Sequence, residues 1–191
     1  FHQLVRHAAH AEFAAVGDFD APAVTQALQD AFKGWSTGQP WTRVSEPLVK
    51  VPGQRLVLET PDKQNAAMAV GMSLPLNDRH PDYAAFMLAN HLFGAGGDSR
   101  LWNRIREKDG LSYSVYSSVQ WNPVDENSEW AAMAIFAPQN RSKVERAFKE
   151  ELDLALKGGF TEKELVAGKK SLLNFRQLSR AQDARIAAGW V

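Results

Sequence analysis

Ser99-Arg100-Leu101-Trp102-Asn103-Arg104-Ile105-Arg106-Glu107-Lys108-Asp109-Gly110-Leu111-Ser112-Tyr113-Ser114-Val115 changes period in the middle, from a helix to a strand. Leu101, Trp102 and Ile105 fall on one helical face, Asp98 stands where a helix cap belongs, and Gly110 suits a left-handed stop. The strand follows from Ser112 to Gln120. Arg106 sits in the last helical turn, where the helix dipole favours a cation, and Tyr113 comes seven positions later at the start of the strand. An arginine near a helix end and a tyrosine in a strand are ordinary, so the two residues alone read as structure before function. Arg100, Arg104, Arg106 and Lys108 place four cations on this helix, offset by Glu107 and Asp109. Arg100 and Arg104, four apart, form either a small basic lip or a solvated face.

Working outward, Arg55 to Thr60 and Asn65 to Leu74 read as strands joined by Pro61-Asp62-Lys63-Gln64. The second is nearly all apolar and is expected to be buried on both faces. A helix begins near Pro81, carries Tyr83, Phe86/Met87 and Leu92/Phe93, and stops at Gly94. Glu129 to Phe136 is a further strand. Beyond Pro138, Val144, Ala147/Phe148, Leu152 and Ala155 form an amphipathic helix halted by Gly158-Gly159. Thr161 and Glu164 make a capping box for a last helix through Leu165, Leu172 and Phe175. This order predicts an α+β fold, a mainly antiparallel sheet covered by helices. Near the start, Glu12 to Val16 reads as a strand, Gly17-Asp18 as a turn and Asp20-Ala21-Pro22 as a helix start. Residues 34–53 hold three glycines and three prolines with little periodicity, so a linker is expected there, between residues 1–33 and 54–191. The chain opens on Phe1 and its last helix has no closing signal before Val191, so both ends are expected to be cut.

Composition narrows the function. With 191 residues, 45% hydrophobic and 23% charged, the chain is of ordinary globular type. Lys+Arg 22 against Asp+Glu 22 leaves no global field for nucleic acid. No apolar run reaches the roughly 18 residues of a membrane span. Zero cysteines exclude disulfides, thiolate metal sites and cysteine nucleophiles, and suit a reducing or an oxidising compartment alike. Gly94-Ala95-Gly96-Gly97 follows a helix rather than a strand, and Asp98 opposes phosphate, so these glycines read as backbone geometry rather than a nucleotide loop. No Gly-x-Ser-x-Gly elbow occurs, and the six tryptophans are scattered, which suits core or interface better than a stacking platform.

The order Ser-Arg-Leu, Arg-Glu-Lys, Gly-Leu-x-Tyr-Ser-Val in residues 99–115 resembles the second half of zinc peptidases of the pitrilysin/insulinase family, the inverzincins. The resemblance takes in residues 54–178, and Ala14 to Asp20 looks like the end of a first half. It implies a processing-peptidase-like half-domain that clamps an extended peptide against a zinc site carried by the other half. Arg106 and Tyr113 are then the pair that binds the substrate backbone and the oxyanion. The chain alone is expected to be inactive, with its parent a zinc endopeptidase or oligopeptidase. Its partners would be a peptide substrate and an N-terminal zinc-binding half or subunit, with self-association through exposed faces as a further expectation. Bacterial periplasm and cytoplasm both remain open. The alternative is a scaffold or partner subunit that keeps the fold without catalysis.

The family's zinc motif is His-x-x-Glu-His, two imidazoles one helical turn apart with the glutamate between them as base. It is absent. The nearest run, His7-Ala8-Ala9-His10-Ala11-Glu12, has the glutamate after both histidines and lacks a third ligand, and His80 and His91 stand alone. No residue of this chain is therefore assigned to a metal, and the zinc is expected in the missing half.

Overall fold

The computed structural model describes residues 11–35 and 42–190, so His7 and His10 lie outside the described residues. The chain divides into two compact units, Ser45–Leu173 and a second made of Phe1–Val44 with Asn174–Val191.

The larger unit is an α+β layer. Its sheet contains β1 (Ala66–Leu74), β2 (Ser112–Gln120) and β3 (Ser128–Phe136), in the order β1-β3-β2 and antiparallel throughout. β3 occupies the centre because its residues alternate strictly: Ser128, Trp130, Ala132, Ala134 and Phe136 are buried, with Glu129, Ala131, Met133 and Ile135 between them. The helices α2 (Tyr83–Asn90) and α3 (Arg141–Gly158) share the core with that buried face. So does a π-helical turn, His91–Ala95, that extends α2, and a π-helix, Trp102–Lys108, that follows the glycine loop. Leu101, Ile105 and Val144 reach 0% exposure at the centre of this core. Asn90 bonds two polar groups inside it: its Oδ1 accepts from Ser117 Oγ at 2.7 Å and from Trp130 Nε1 at 2.9 Å.

Several expectations need correction. Arg55 to Thr60 forms no strand. Its side chains are drawn to α3, through Arg55–Glu145 at 3.0 Å and Glu59–Arg141 at 3.8 Å, and a gap of about 900 Å³ lies between it and β1. β1 is not buried on both faces. Met68 and Val70 are half-buried toward the core, while Ala67, Ala69 and Gly71 are exposed, because the helices cover one face only. The helix expected to stop at Gly94 continues to Ala95 in the wider π form. The next helix begins at Arg100, which puts Ser99 rather than Asp98 immediately before it.

Gly94 allows the π turn to lie directly on β2: a Cβ there would come 2.4 Å from Ser117 Oγ and 2.8 Å from the Ser117 nitrogen. The capping box at the start of α4 (Glu162–Ser179) forms as its sequence predicts, with Thr161 N–H donating to Glu164 Oε2 at 2.7 Å and Glu164 N–H to Thr161 Oγ1 at 3.3 Å. Farther along α4 the expected inward line weakens: Leu165 and Leu172 are half-buried and Phe175 is exposed.

In the smaller unit, Asp20 caps α1 (Ala21–Ala31) by accepting from Ala23 N–H at 2.9 Å, with Pro22 in the first turn. Phe32 and Trp35 stack with ring centroids 5.2 Å apart. α5 (Asp183–Ala188) lies near the end of the chain. Glu12 to Val16 forms no strand, and Phe13 is exposed.

Candidate functional site

Three arginines on one short helix meet three different fates. Arg100 Nε donates to Glu164 Oε1 at 2.6 Å, and its Nη2 donates to Glu164 Oε2 and to the Gly159 carbonyl, both at 2.9 Å. The Arg100 hydrogen bond, helped by the Thr161 N–H and hydroxyl, holds the Glu164 carboxyl at about 2. Arg104 lies 2.9 Å from Asp109 and 2.7 Å from Glu150. The basic lip expected from Arg100 and Arg104 therefore does not exist; both cations tie the helix to neighbouring elements. Arg106 makes no side-chain hydrogen bond among the described residues. Its nearest carboxylate is that of Glu107, 3.6 Å away.

Aromatic rings flank Arg106 instead. Its Cζ lies 4.0 Å from the centroid of Trp102, four positions earlier on the same helix, and 5.1 Å from the centroid of Tyr113. The chain can turn back between Arg106 and Tyr113 because Gly110 takes φ +60°. Gly110 N–H then bonds the Arg106 carbonyl at 3.1 Å, the single bond of a left-handed helix stop, and Leu111 N–H bonds the Ile105 carbonyl at 2.9 Å.

The start of β2 is irregular in a way that displays Tyr113. Ser112 pairs with Phe136 and Ser114 with the very next residue back, Ile135, so Tyr113 is an extra residue in a β-bulge. The buried Ser112 hydroxyl lies 2.8 Å from the Ser114 carbonyl and 2.7 Å from the Ile135 carbonyl, pinning the bulge. Tyr113 is 83% exposed as a result, and its phenol has no hydrogen-bond partner among the described residues. Arg106 and Tyr113 together border an open cleft of about 630 Å³, whose other walls include Asn65, Ser114, Phe136 and Asn140. An unengaged guanidinium and an unengaged phenol on one cleft present several N–H donors and one O–H donor to a ligand.

Sequence reading identified Arg106 and Tyr113 and missed two features around them. Trp102 shares a helical face with Leu101 and Ile105, and its spacing of four to Arg106 is the available signal for the stacked pair. The bulge had none, since no local composition distinguishes Ser112-Tyr113-Ser114 from a regular strand.

Among the described residues no three histidine, cysteine or carboxylate side chains come together. His80 Nδ1 accepts from Asp82 N–H at 3.1 Å, and His91 Nε2 lies 3.2 Å from Ser171 Oγ, with burial lowering the His91 pKa.

A family profile described as the peptidase M16 inactive domain matches residues 1–172. Uncharacterized zinc proteases of Mycobacterium bovis and Mycobacterium tuberculosis are each 31% identical over 121 residues, which is 62% of this chain and 26% of theirs. The chain thus spans only 26% of the length of these curated relatives. Among solved structures, a peptidase M16 inactive domain from Pseudomonas fluorescens is 26% identical with a TM-score of 0.57, covering 66% of this chain and 29% of that one. A protease from Helicobacter pylori shares the fold with a TM-score of 0.73 at 20% identity, over 91% of this chain and 42% of its own. The chain belongs to the peptidase M16 inactive domain family, the C-terminal half of the pitrilysin/insulinase type.

Proposed function

We propose that this chain is the substrate-binding half of a zinc-dependent peptidase, and that Arg106 and Tyr113 clamp the backbone of an extended peptide beside a zinc-binding N-terminal half. In this arrangement residues 1–33 close the first half, 34–53 form the linker and 54–191 make the second half. The observation that carries the reading is the contrast among the arginines: Arg100 and Arg104 are engaged by carboxylates, whereas Arg106 and Tyr113 keep their donors free on an open cleft. When a peptide amide is attacked, its carbonyl oxygen gains negative charge, and donors already in position stabilise that oxygen more in the transition state than in the ground state. A guanidinium and a phenol suit that task because both present N–H or O–H donors to an oxygen.

Kinetics of peptide hydrolysis by the intact protease test the reading. Arg106→Ala and Tyr113→Phe should each lower kcat by about 100-fold or more, the scale for loss of one oxyanion donor, with a smaller change in KM. Unchanged turnover in both variants contradicts the proposal.

A further inference from the structure

We infer that Trp102 is a positioning residue for Arg106, holding the guanidinium ready for substrate through the face of its indole; this rests on the substrate-clamp reading of Arg106. The argument begins with what is missing around Arg106. Its neighbours Arg100 and Arg104 are each fixed by charge-assisted hydrogen bonds of 2.6 to 2.9 Å, which set their side chains rigidly but occupy their donors. A substrate-binding arginine has the opposite requirement, a fixed position with free donors. Attraction to a π face meets it, because the ring attracts the cation without needing an N–H···acceptor bond.

Geometry places Trp102 in that role. It precedes Arg106 by four residues on one helix, and its ring centroid is 4.0 Å from Arg106 Cζ, nearer than the 5.1 Å to Tyr113. Trp102 is itself half-buried, so its ring is a fixed platform, whereas Tyr113 is 83% exposed. The competing tether is Glu107, at 3.6 Å with a side chain 58% exposed, too open to the solvent to hold the guanidinium in one place. Without the indole, Arg106 samples other rotamers and its donors meet the peptide carbonyl in a smaller fraction of encounters.

The test compares Trp102→Leu, which keeps apolar bulk without a π face, with Trp102→Phe, which keeps a π face. Both are made in the intact protease, alone and combined with Arg106→Ala. Trp102→Leu should lower kcat/KM by about 2- to 30-fold, the range that a cation–π contact of ~0.5 to 2 kcal/mol implies, and Trp102→Phe should recover most of it. On the Arg106→Ala background, Trp102→Leu should have almost no further effect, since the residue it positions is gone. Equal losses in the Leu and Phe variants, or an undiminished Trp102→Leu effect on that background, show a packing role and overturn the inference. If Trp102→Leu matches wild type while Arg106→Ala is impaired, the inference falls and the clamp survives. If Arg106→Ala is itself unimpaired, the clamp falls and the inference falls with it.

Discussion

At the scale of single residues, the same side-chain type does opposite work within seven positions. Arg100 is a structural cation, and its bond to Glu164 gives a pH-dependent signature. The Glu164 carboxyl is lowered from 4.5 to about 2 in the folded chain. Folding therefore favours the ionised form, so the stabilisation is fully present above the ordinary glutamate range and is lost as the pH falls from 4.5 toward 2. Melting temperatures followed over that range should drop less steeply in Arg100→Ala than in the parent chain, after allowing for its lower starting stability; parallel curves would contradict the assignment. Arg106 and Tyr113 were legible in the sequence as members of an ordered motif. The engagement of Arg100 was not, because Glu164 is 64 positions away and only the fold brings it near. Proximity of that kind leaves no local trace, and for the same reason the sequence suggested a basic lip.

At the scale of elements, legibility followed the strength of local signals. Strands β2 and β3, the helix stop at Gly110 and the Thr161/Glu164 capping box formed where their residues predicted, since each rests on short-range period or capping chemistry. Arg55 to Thr60 has the composition of a strand, yet strand pairing is a non-local event, and here its charged side chains bond α3 instead. The π turn at His91–Ala95 was equally hidden, because it depends on how closely α2 approaches β2. Gly94 sets that approach. Replacing it with alanine puts a methyl group against the Ser117 backbone, and the forced shift should cost about 1 to 3 kcal/mol of unfolding free energy. Gly97 has nothing within 4 Å of a built Cβ, so Gly97→Ala should stay within about 0.5 kcal/mol of wild type. Urea unfolding of both variants makes the comparison, and equal stabilities would argue against the close packing of the π turn on β2.

At the scale of the whole molecule, the core helices of the larger unit pack on one face of its antiparallel sheet, and the two unengaged donors stand where the second strand begins. The described residues border an open cleft beside Arg106 and Tyr113, and the proposed division of labour assigns zinc to one half and the peptide to the other. Fold class and family were readable because one long motif spans the helix, the turn and the strand at once. How the site is held was not, because a stacked indole and a pinned bulge belong to three-dimensional packing. The most direct measurement is a crystal structure of the intact protease, disabled at its zinc-binding half, with an uncleaved peptide bound. The account predicts a peptide carbonyl oxygen about 3 Å from both an Arg106 guanidinium nitrogen and the Tyr113 hydroxyl. A peptide bound productively with both side chains still facing solvent would contradict it.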